Sequence, residues 1–262
     1  MSANRLRPSR ALGQNFVADA NTVHRIARLA AVGPGDRVLE IGAGLGSLTL
    51  ALAEAGAAVV AVEADRHLVP VLRSVVEPVG VEVVEGDAMA LDLEALVADR
   101  GRGPWKMVSN LPYNVATPLV MRTLEHVDAI AHILVMVQRE VGERMAAPVG
   151  TSAYGAVSVR IAYFATATVV GRVPASVFVP RPRVESVLVR LDRLAAPAVD
   201  PTLVSYERFS AVVRAGFGQR RKMLRRSLAG VVETGAFARA GVRPDARAEE
   251  LSVHEWGRLA AP

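Results

Sequence analysis

The sequence predicts an α/β protein: a mostly parallel seven-stranded sheet covered on both faces by helices, with an antiparallel pair of strands at one edge and a small all-helical region at the C-terminal end. Three observations predict it. Short apolar runs alternate with amphipathic ones from Asp36 to about Gln138. The apolar runs are near-continuous, as strands buried on both faces of a parallel sheet are. After Pro197 and Pro201 the pattern is helical to the end.

In order, Arg37–Ile41 reads as the first buried strand, and Ser47–Ala55 as a helix with Ser47 as its N-cap. Ala58–Val62 is the second strand. The helix Arg66–Val76 follows, its first turn made irregular by Pro70. Val81–Val84 is the third strand, Leu91–Val97 a short helix, Lys106–Ser109 the fourth strand, Pro118–Leu124 a helix and Ala131–Val137 the fifth strand. The pattern then changes. Ser152–Phe164 looks helical, and Thr166–Gly171 and Glu185–Leu191 are two β-rich runs flanking a Pro- and Arg-rich loop, Val173–Val184. Two late strands close in sequence suit an antiparallel edge. A hinge near Ala195–Pro201 divides residues 1–197 from the helical region 198–262.

Composition narrows the function. The 262 residues are 51% hydrophobic and 22% charged, enough for a sizeable core and too little charge for a disordered chain. The net charge is +5, but only Lys106 and Lys222 are lysines among 31 basic residues. That bias fits a GC-rich genome, so the position of the arginines matters more than their number. No cysteine is present, which excludes disulfides, thiolate metal sites and cysteine nucleophiles and fits a cytoplasmic protein. Apolar stretches break well short of the ~18 residues a membrane span needs. Arg5, Arg7 and Arg10 are basic, but Gly13-Gln14-Asn15 stands where a signal peptide would need its apolar core, so neither secretion nor anchoring is expected.

Glu40-Ile41-Gly42-Ala43-Gly44-Leu45-Gly46 follows the first strand and opens the first helix. Glycines let a backbone turn tightly and approach a ligand. The spacing G-x-G-x-G differs from the G-x-G-x-x-G of dinucleotide enzymes. Glu63 ends the second strand, 21 residues beyond Gly42, where an acid can accept both hydroxyls of a ribose. Asp87, in Gly86-Asp87-Ala88, ends the third strand and suits the exocyclic amine of an adenine, because a carboxylate accepts what N–H donates. Asn110 ends the fourth. Ligands of open α/β sheets bind beyond the carboxyl ends of the strands, so these elements converge on one crevice. With no P-loop lysine and no cationic clamp at the turn, the ligand is a nucleoside without phosphates, which favours S-adenosylmethionine over NAD.

Asn110-Leu111-Pro112-Tyr113 supplies the chemistry. The N6 amine of adenine is a poor nucleophile because its lone pair is delocalised into the ring. Accepting hydrogen bonds from both N6 hydrogens favours a pyramidal nitrogen with a localised pair. The side-chain oxygen of Asn110 and a main-chain carbonyl at Leu111 or Pro112 suit that role. Pro112 stiffens the turn, and Tyr113 offers a ring to stack on an extruded base.

At these residues the sequence resembles the KsgA/RsmA family of ribosomal RNA adenine N6,N6-dimethyltransferases, and the resemblance runs over nearly the whole chain. Leu12-Gly13-Gln14-Asn15-Phe16-Val17 is similar to the family's N-terminal G-Q-N-F segment, and Phe178-Val179-Pro180-Arg181-Pro182-Arg183-Val184-Glu185-Ser186 to its F-x-P-x-P-x-V-x-S loop. Phe217-Gly218-Gln219-Arg220-Arg221-Lys222 is similar to its F-x-x-R-R-K element, and Arg247–Ser252 to a late R-P-E-E-L-S segment, with Ala248 where proline is usual. The resemblance implies a Rossmann-like class I methyltransferase fold. It implies cofactor contacts at Asn15, Val17, Gly42, Glu63, Asp87 and Asn110, with Gly44 and Ala88 beside them. Phe178 becomes a second candidate stacking ring opposite Tyr113. The activity implied is dimethylation of two adjacent adenosines in the hairpin loop near the 3′ end of small-subunit (16S) rRNA, within a pre-30S particle. Apart from the resemblance, a monomer is expected, with no membrane or metal partner. Related Erm-type enzymes acting on 23S rRNA, and a non-catalytic assembly factor on the same fold, are the alternatives.

Six cations and no acid lie between Arg214 and Arg226 (Arg214, Arg220, Arg221, Lys222, Arg225, Arg226), and Arg181 and Arg183 add two in the proline loop. On one helix face they could grip phosphates. His24, His67, His126, His132 and His254 are scattered, without metal spacing.

Overall fold

The computed structural model describes residues 14–101 and 103–262; Arg5, Arg7, Arg10, Leu12 and Gly13 lie outside them. In chain order the elements are β1 (Phe16–Val17), α1 (Ala20–Leu29), β2 (Arg37–Ile41), α2 (Ser47–Glu54), β3 (Ala58–Glu63), α3 (Val69–Val76), β4 (Glu82–Glu85), α4 (Leu93–Ala98), β5 (Trp105–Asn110), α5 (Ala116–His126), β6 (Ile130–Gln138) and α6 (Arg139–Met145). Then come α7 (Ala156–Phe164), β7 (Ala165–Val173), β8 (Phe178–Val179), β9 (Ser186–Arg193), α8 (Tyr206–Gly218), α9 (Leu224–Ser227), α10 (Ala236–Ala240) and α11 (Val253–Ala260).

Seven strands form one sheet in the order β4-β3-β2-β5-β6-β9-β7, and β1 pairs with β8 in a separate two-stranded sheet. The five strands of the repeating region run parallel, while β9 lies antiparallel to β6. This is the α/β architecture with an antiparallel edge that the apolar runs predict. Val38, Leu39, Ala61, Val62, Val108 and Val135 are all buried, because helices cover both faces.

The chain divides into two compact units: residues up to Gly142 with Thr168–Asp192, and Glu143–Ala167 with Arg193–Pro262. The expected boundary at 197/198 therefore moves. The second unit recruits α7, whose Tyr163 packs at tilted angles with ring centroids 4.9 Å from Phe209 and 5.0 Å from Tyr206 of α8, in and against a core that also contains Trp256. An aromatic cluster of this kind joins segments that a proline-rich linker separates in sequence.

Three local expectations change. The N-cap of α2 is Gly46, at φ +84°, rather than Ser47. A Cβ there would meet Val76 at 2.7 Å, so the turn excludes a side chain where a polar cap would sit. Helix α3 starts at Val69, with Pro70 in its first turn. The cations between Arg214 and Arg226 do not share a helix face, since α8 ends at Gly218 and α9 begins at Leu224. Helices α1 and α6 and the β1–β8 pair were not anticipated. Among the described residues no helix is long and apolar enough to cross a membrane.

Candidate active site

The carboxyl ends of β2, β3, β4 and β5 open onto one cavity of about 420 Å³, a size typical of small-molecule sites. The sheet order creates it: from β2 the chain runs outward to β3 and β4, and β5 and β6 extend the sheet the other way. The β2–β5 ladder ends at the pair Leu39–Met107, so the last residues of both strands part. The Ser109 hydroxyl replaces one lost ladder bond by accepting from the Ile41 N–H at 2.9 Å.

The turn after β2 lines the cavity beside this gap. Gly42 and Gly44 have φ of +77° and +60°, which L side chains rarely adopt. A Cβ at Gly42 would sit 3.3 Å from Pro112 Cδ, and one at Gly44 would sit 2.9 Å from the Phe16 ring. The Gly42 and Ala43 N–H groups both donate to the Val62 carbonyl, at 2.8 and 3.2 Å, which ties the turn to β3.

Glu63 ends β3 and is buried. Its Oε2 accepts from the Gly44 N–H at 2.7 Å and its Oε1 from the Asp65 N–H at 2.9 Å. Both oxygens are thereby oriented, with lone-pair capacity left for a vicinal diol. Burial pushes this carboxyl above its usual range, against the pull of the backbone N–H groups of Asp65, Gly44 and Ala64. Asp65 in turn accepts from Gln14 Nε2 at 2.9 Å. Asp87, beyond β4, uses Oδ1 to accept from the Met89 N–H at 2.8 Å. The loop it begins is held by Arg122 of α5, whose guanidinium donates to the carbonyls of Ala88 (3.0 Å), Met89 and Leu91 (2.7 Å).

Asn110 ends β5 and donates through Nδ2 to the Asn15 carbonyl at 2.9 Å. A carbonyl only accepts, so this contact settles which way the carboxamide faces and leaves Oδ1 as an acceptor. The Leu111 N–H donates to Met136 O at 3.2 Å, and the Pro112 carbonyl accepts from the Val115 N–H at 3.2 Å. The Leu111 carbonyl accepts nothing among the described residues. Tyr113 lines the cavity with its hydroxyl 2.8 Å from Ser186 Oγ, and burial pushes its phenol up.

Glu40 also lines the cavity, at 1% exposure and with Oε2 lacking a hydrogen-bond partner among the described residues. Burial pushes its carboxyl up to about 8. The nearby Thr49 hydroxyl tempers the shift without closing a hydrogen bond of normal geometry, and the Glu63 carboxyl adds to it.

Asn15, Val17, Gly42, Gly44, Glu63, Asp87, Ala88 and residues 110–113 thus all line one cavity. Phe178 does not. It is 2% exposed, packs in the core that contains Val17, Ala43 and Leu188, and pairs through β8 with Val17. The expected stacking ring is a core side chain: its strand position turns it into the apolar interior, and the neighbouring Val179 is the exposed one.

A family model described as "Ribosomal RNA adenine dimethylase" matches residues 5–261. The chain belongs to this family. It is 45% identical to "Ribosomal RNA small subunit methyltransferase A" of Kineococcus radiotolerans over 98% of this chain and 86% of that protein. It is 41% identical to the protein of the same name from Xanthomonas campestris pv. campestris, over 96% and 94%. Among solved structures, the 23S rRNA methyltransferase ErmE is 27% identical, with a TM-score of 0.73 over 94% of this chain and 98% of that one. A dimethyladenosine transferase from Plasmodium falciparum, 23% identical with a TM-score of 0.75, covers 93% and 95% and shares the fold. The seven-stranded sheet is accordingly that of the class I methyltransferases.

The cations expected to face RNA divide between the two units of this rRNA adenine dimethylase. Arg181 and Arg183 are exposed in the proline loop of the first unit. In the second, Arg221, Lys222 and Arg225 are exposed and their side chains make no hydrogen bond or ion pair among the described residues. Arg220 is committed internally, donating to Ser152 O at 2.7 Å with Glu249 3.7 Å away. Sequence reasoning missed Arg122, Ser109 and the role of Ser186 at the cavity. Their contacts span 31 or more positions in the chain, beyond any local pattern.

Proposed function

We propose that this protein is a small-subunit (16S) rRNA adenine N6,N6-dimethyltransferase that takes methyl groups from S-adenosylmethionine and modifies two adjacent adenosines in the 3′-terminal hairpin loop. The substrate is a pre-30S particle in the cytoplasm. The observation that carries this reading is the shared cavity, which joins an acid suited to a ribose, an acid suited to an adenine amine, and the Asn110–Tyr113 turn.

The residues fit the cofactor. Gly42 and Gly44 provide a cradle that a Cβ would fill. The oriented carboxylate of Glu63 suits the ribose hydroxyls, Asp87 the adenine amine, and the unpartnered Oε2 of Glu40 a cationic group. S-adenosylmethionine supplies an electrophilic methyl carbon on a sulfonium. The chain's own residues prepare the nucleophile. Asn110 Oδ1 accepts one N6 hydrogen of the target adenosine and the Leu111 carbonyl the other, which localises the nitrogen lone pair. Tyr113 stacks on the extruded base. Arg181, Arg183, Arg221, Lys222 and Arg225 grip RNA phosphates, each as a charge-assisted contact.

The Erm-type alternative targets the large subunit. The 41–45% identity to proteins named small-subunit methyltransferases, against 27% to ErmE, favours the small subunit. The test is labelled methyl transfer to purified immature small and large subunits. Dimethyladenosine in small-subunit rRNA is expected, with its loss in Asn110→Ala. Label in the large subunit, or no transfer to either, overturns the reading.

A further inference from the structure

We infer that Ser186 is a positioning residue: its hydroxyl holds the ring of Tyr113 in the attitude that receives the target adenine, and so controls methyl transfer and completion of the second methylation. The inference rests on the proposed activity and adds a residue and a contact to it.

Tyr113 sits at the end of the turn that carries Asn110 and Leu111, and it lines the cavity. A tyrosine ring turns about two side-chain torsions, the second of them broad. A stacking platform must be held to within roughly 10–20° to be productive. The ring needs a fixed point at its far end, and the structure supplies one. The Tyr113 hydroxyl and Ser186 Oγ lie 2.8 Å apart. Ser186 has 0% exposure, so water does not compete for the contact.

Ser186 is itself rigidly held. It is the first residue of β9, in register with Gln138 at the end of β6. One residue before it, the Glu185 carbonyl accepts from the Arg139 N–H at 3.0 Å, and the Glu185 carboxylate pairs with the Arg139 guanidinium at 3.2 Å. The strand end is therefore pinned by its register with β6 and twice by Arg139, the residue that follows β6; within β6 the Met136 carbonyl accepts from the Leu111 N–H at 3.2 Å. The acceptor turn and the anchor of the ring share one strand as their reference. The contact also engages the phenol, so the ring meets the base by its face and not by its hydroxyl.

The second transfer makes orientation matter more. A monomethylated adenosine must present its remaining N6 hydrogen in the same geometry with a bulkier nitrogen. A loosened ring lowers the second rate more than the first, and monomethyladenosine accumulates.

The test uses full-length Ser186→Ala, Tyr113→Phe and the double variant, with immature small subunits as substrate. Each single variant is expected to lower kcat about tenfold, to leave cofactor KM within about twofold, and to raise the ratio of mono- to dimethyladenosine. The double variant is expected to be no worse than either single one. A second measurement needs no turnover. The protein has four tyrosines, so the ring Cζ carbon resonance of Tyr113 in labelled protein is expected to shift in Ser186→Ala while the other three stay. Tyr113→Phe retaining wild-type kcat and product ratio overturns the inference whatever Ser186→Ala does. So does a double variant whose loss is the product of the two single losses. Wild-type protein that transfers no methyl group overturns the proposed function and this inference together; wild-type transfer with indifferent variants overturns the inference alone.

Discussion

Replacing Glu40 with glutamine is expected to remove a penalty that grows with pH. Glu40 lies at 1% exposure on β2, with Oε2 unpartnered among the described residues and its carboxyl pushed up to about 8 from an ordinary 4.5. Below pH 4.5 both the folded and unfolded chains carry the proton, and the group adds no pH dependence. Between 4.5 and about 8 the unfolded chain releases it while the folded one keeps it, so the unfolded state binds fewer protons and stability falls as pH rises. Above about 8 both are ionised and the loss is complete. Three and a half pH units at ~1.36 kcal/mol each bound the loss at about 5 kcal/mol. Against a total stability of roughly 5–15 kcal/mol that is a large fraction. Glu63, raised by its own burial, acts in the same direction, so the informative quantity is the difference between variant and wild type. Urea unfolding followed by circular dichroism at pH 5, 6.5 and 8.5, without cofactor, measures it. Glu40→Gln is expected to gain steadily on wild type across that range. A constant difference between the two proteins would refute the reasoning, because it would mean that Glu40 is already ionised in the folded protein.

Phe178→Ala is expected to cost about 3–5 kcal/mol in urea unfolding, as a buried core ring does, whereas Phe178→Leu keeps kcat within a fewfold; loss of transfer in a stable Phe178→Leu protein would restore the ring to the active site. Arg122→Ala frees the three carbonyls of the Ala88–Leu91 loop and is expected to raise cofactor KM about tenfold with kcat little changed, read from initial rates. Gly44→Ala, which would drive a Cβ to 2.9 Å from the Phe16 ring, is expected to weaken cofactor binding at least tenfold by calorimetry. Arg221→Ala and Lys222→Ala are each expected to reduce the slope of log affinity for RNA against log salt by about 0.7–0.9; an unchanged slope places that cation away from the phosphates.

Much of the fold was legible because parallel strands buried on both faces leave an unbroken apolar run, a signal local to five or six residues. The glycine turn and the residues ending β3, β4 and β5 were legible for a related reason. In a parallel sheet every strand ends on the same side, so Glu63, Asp87 and Asn110 meet once their strands are placed. The amino-acid order alone therefore determined the architecture of the main sheet and the convergence of Gly42, Glu63, Asp87 and Asn110 on one cavity.

What only the tertiary structure decided is which partner each of those groups has. The carboxamide of Asn110 faces the way it does because of a carbonyl 95 positions earlier, and Tyr113 is tethered by a hydroxyl 73 positions later. Phe178 passed from candidate stacking ring to core because β8 pairs with β1, two strands of two residues each, too short to leave a periodic trace. The boundary between the two units moved because aromatic rings of α7 pack on α8 across the late strands. Burial and pairing are properties of the folded neighbourhood, not of any window of sequence, which is why the strand-end residues of the site could be listed from the chain while the place of Glu40 and Phe178, the electrostatics and the fixed orientations required the fold.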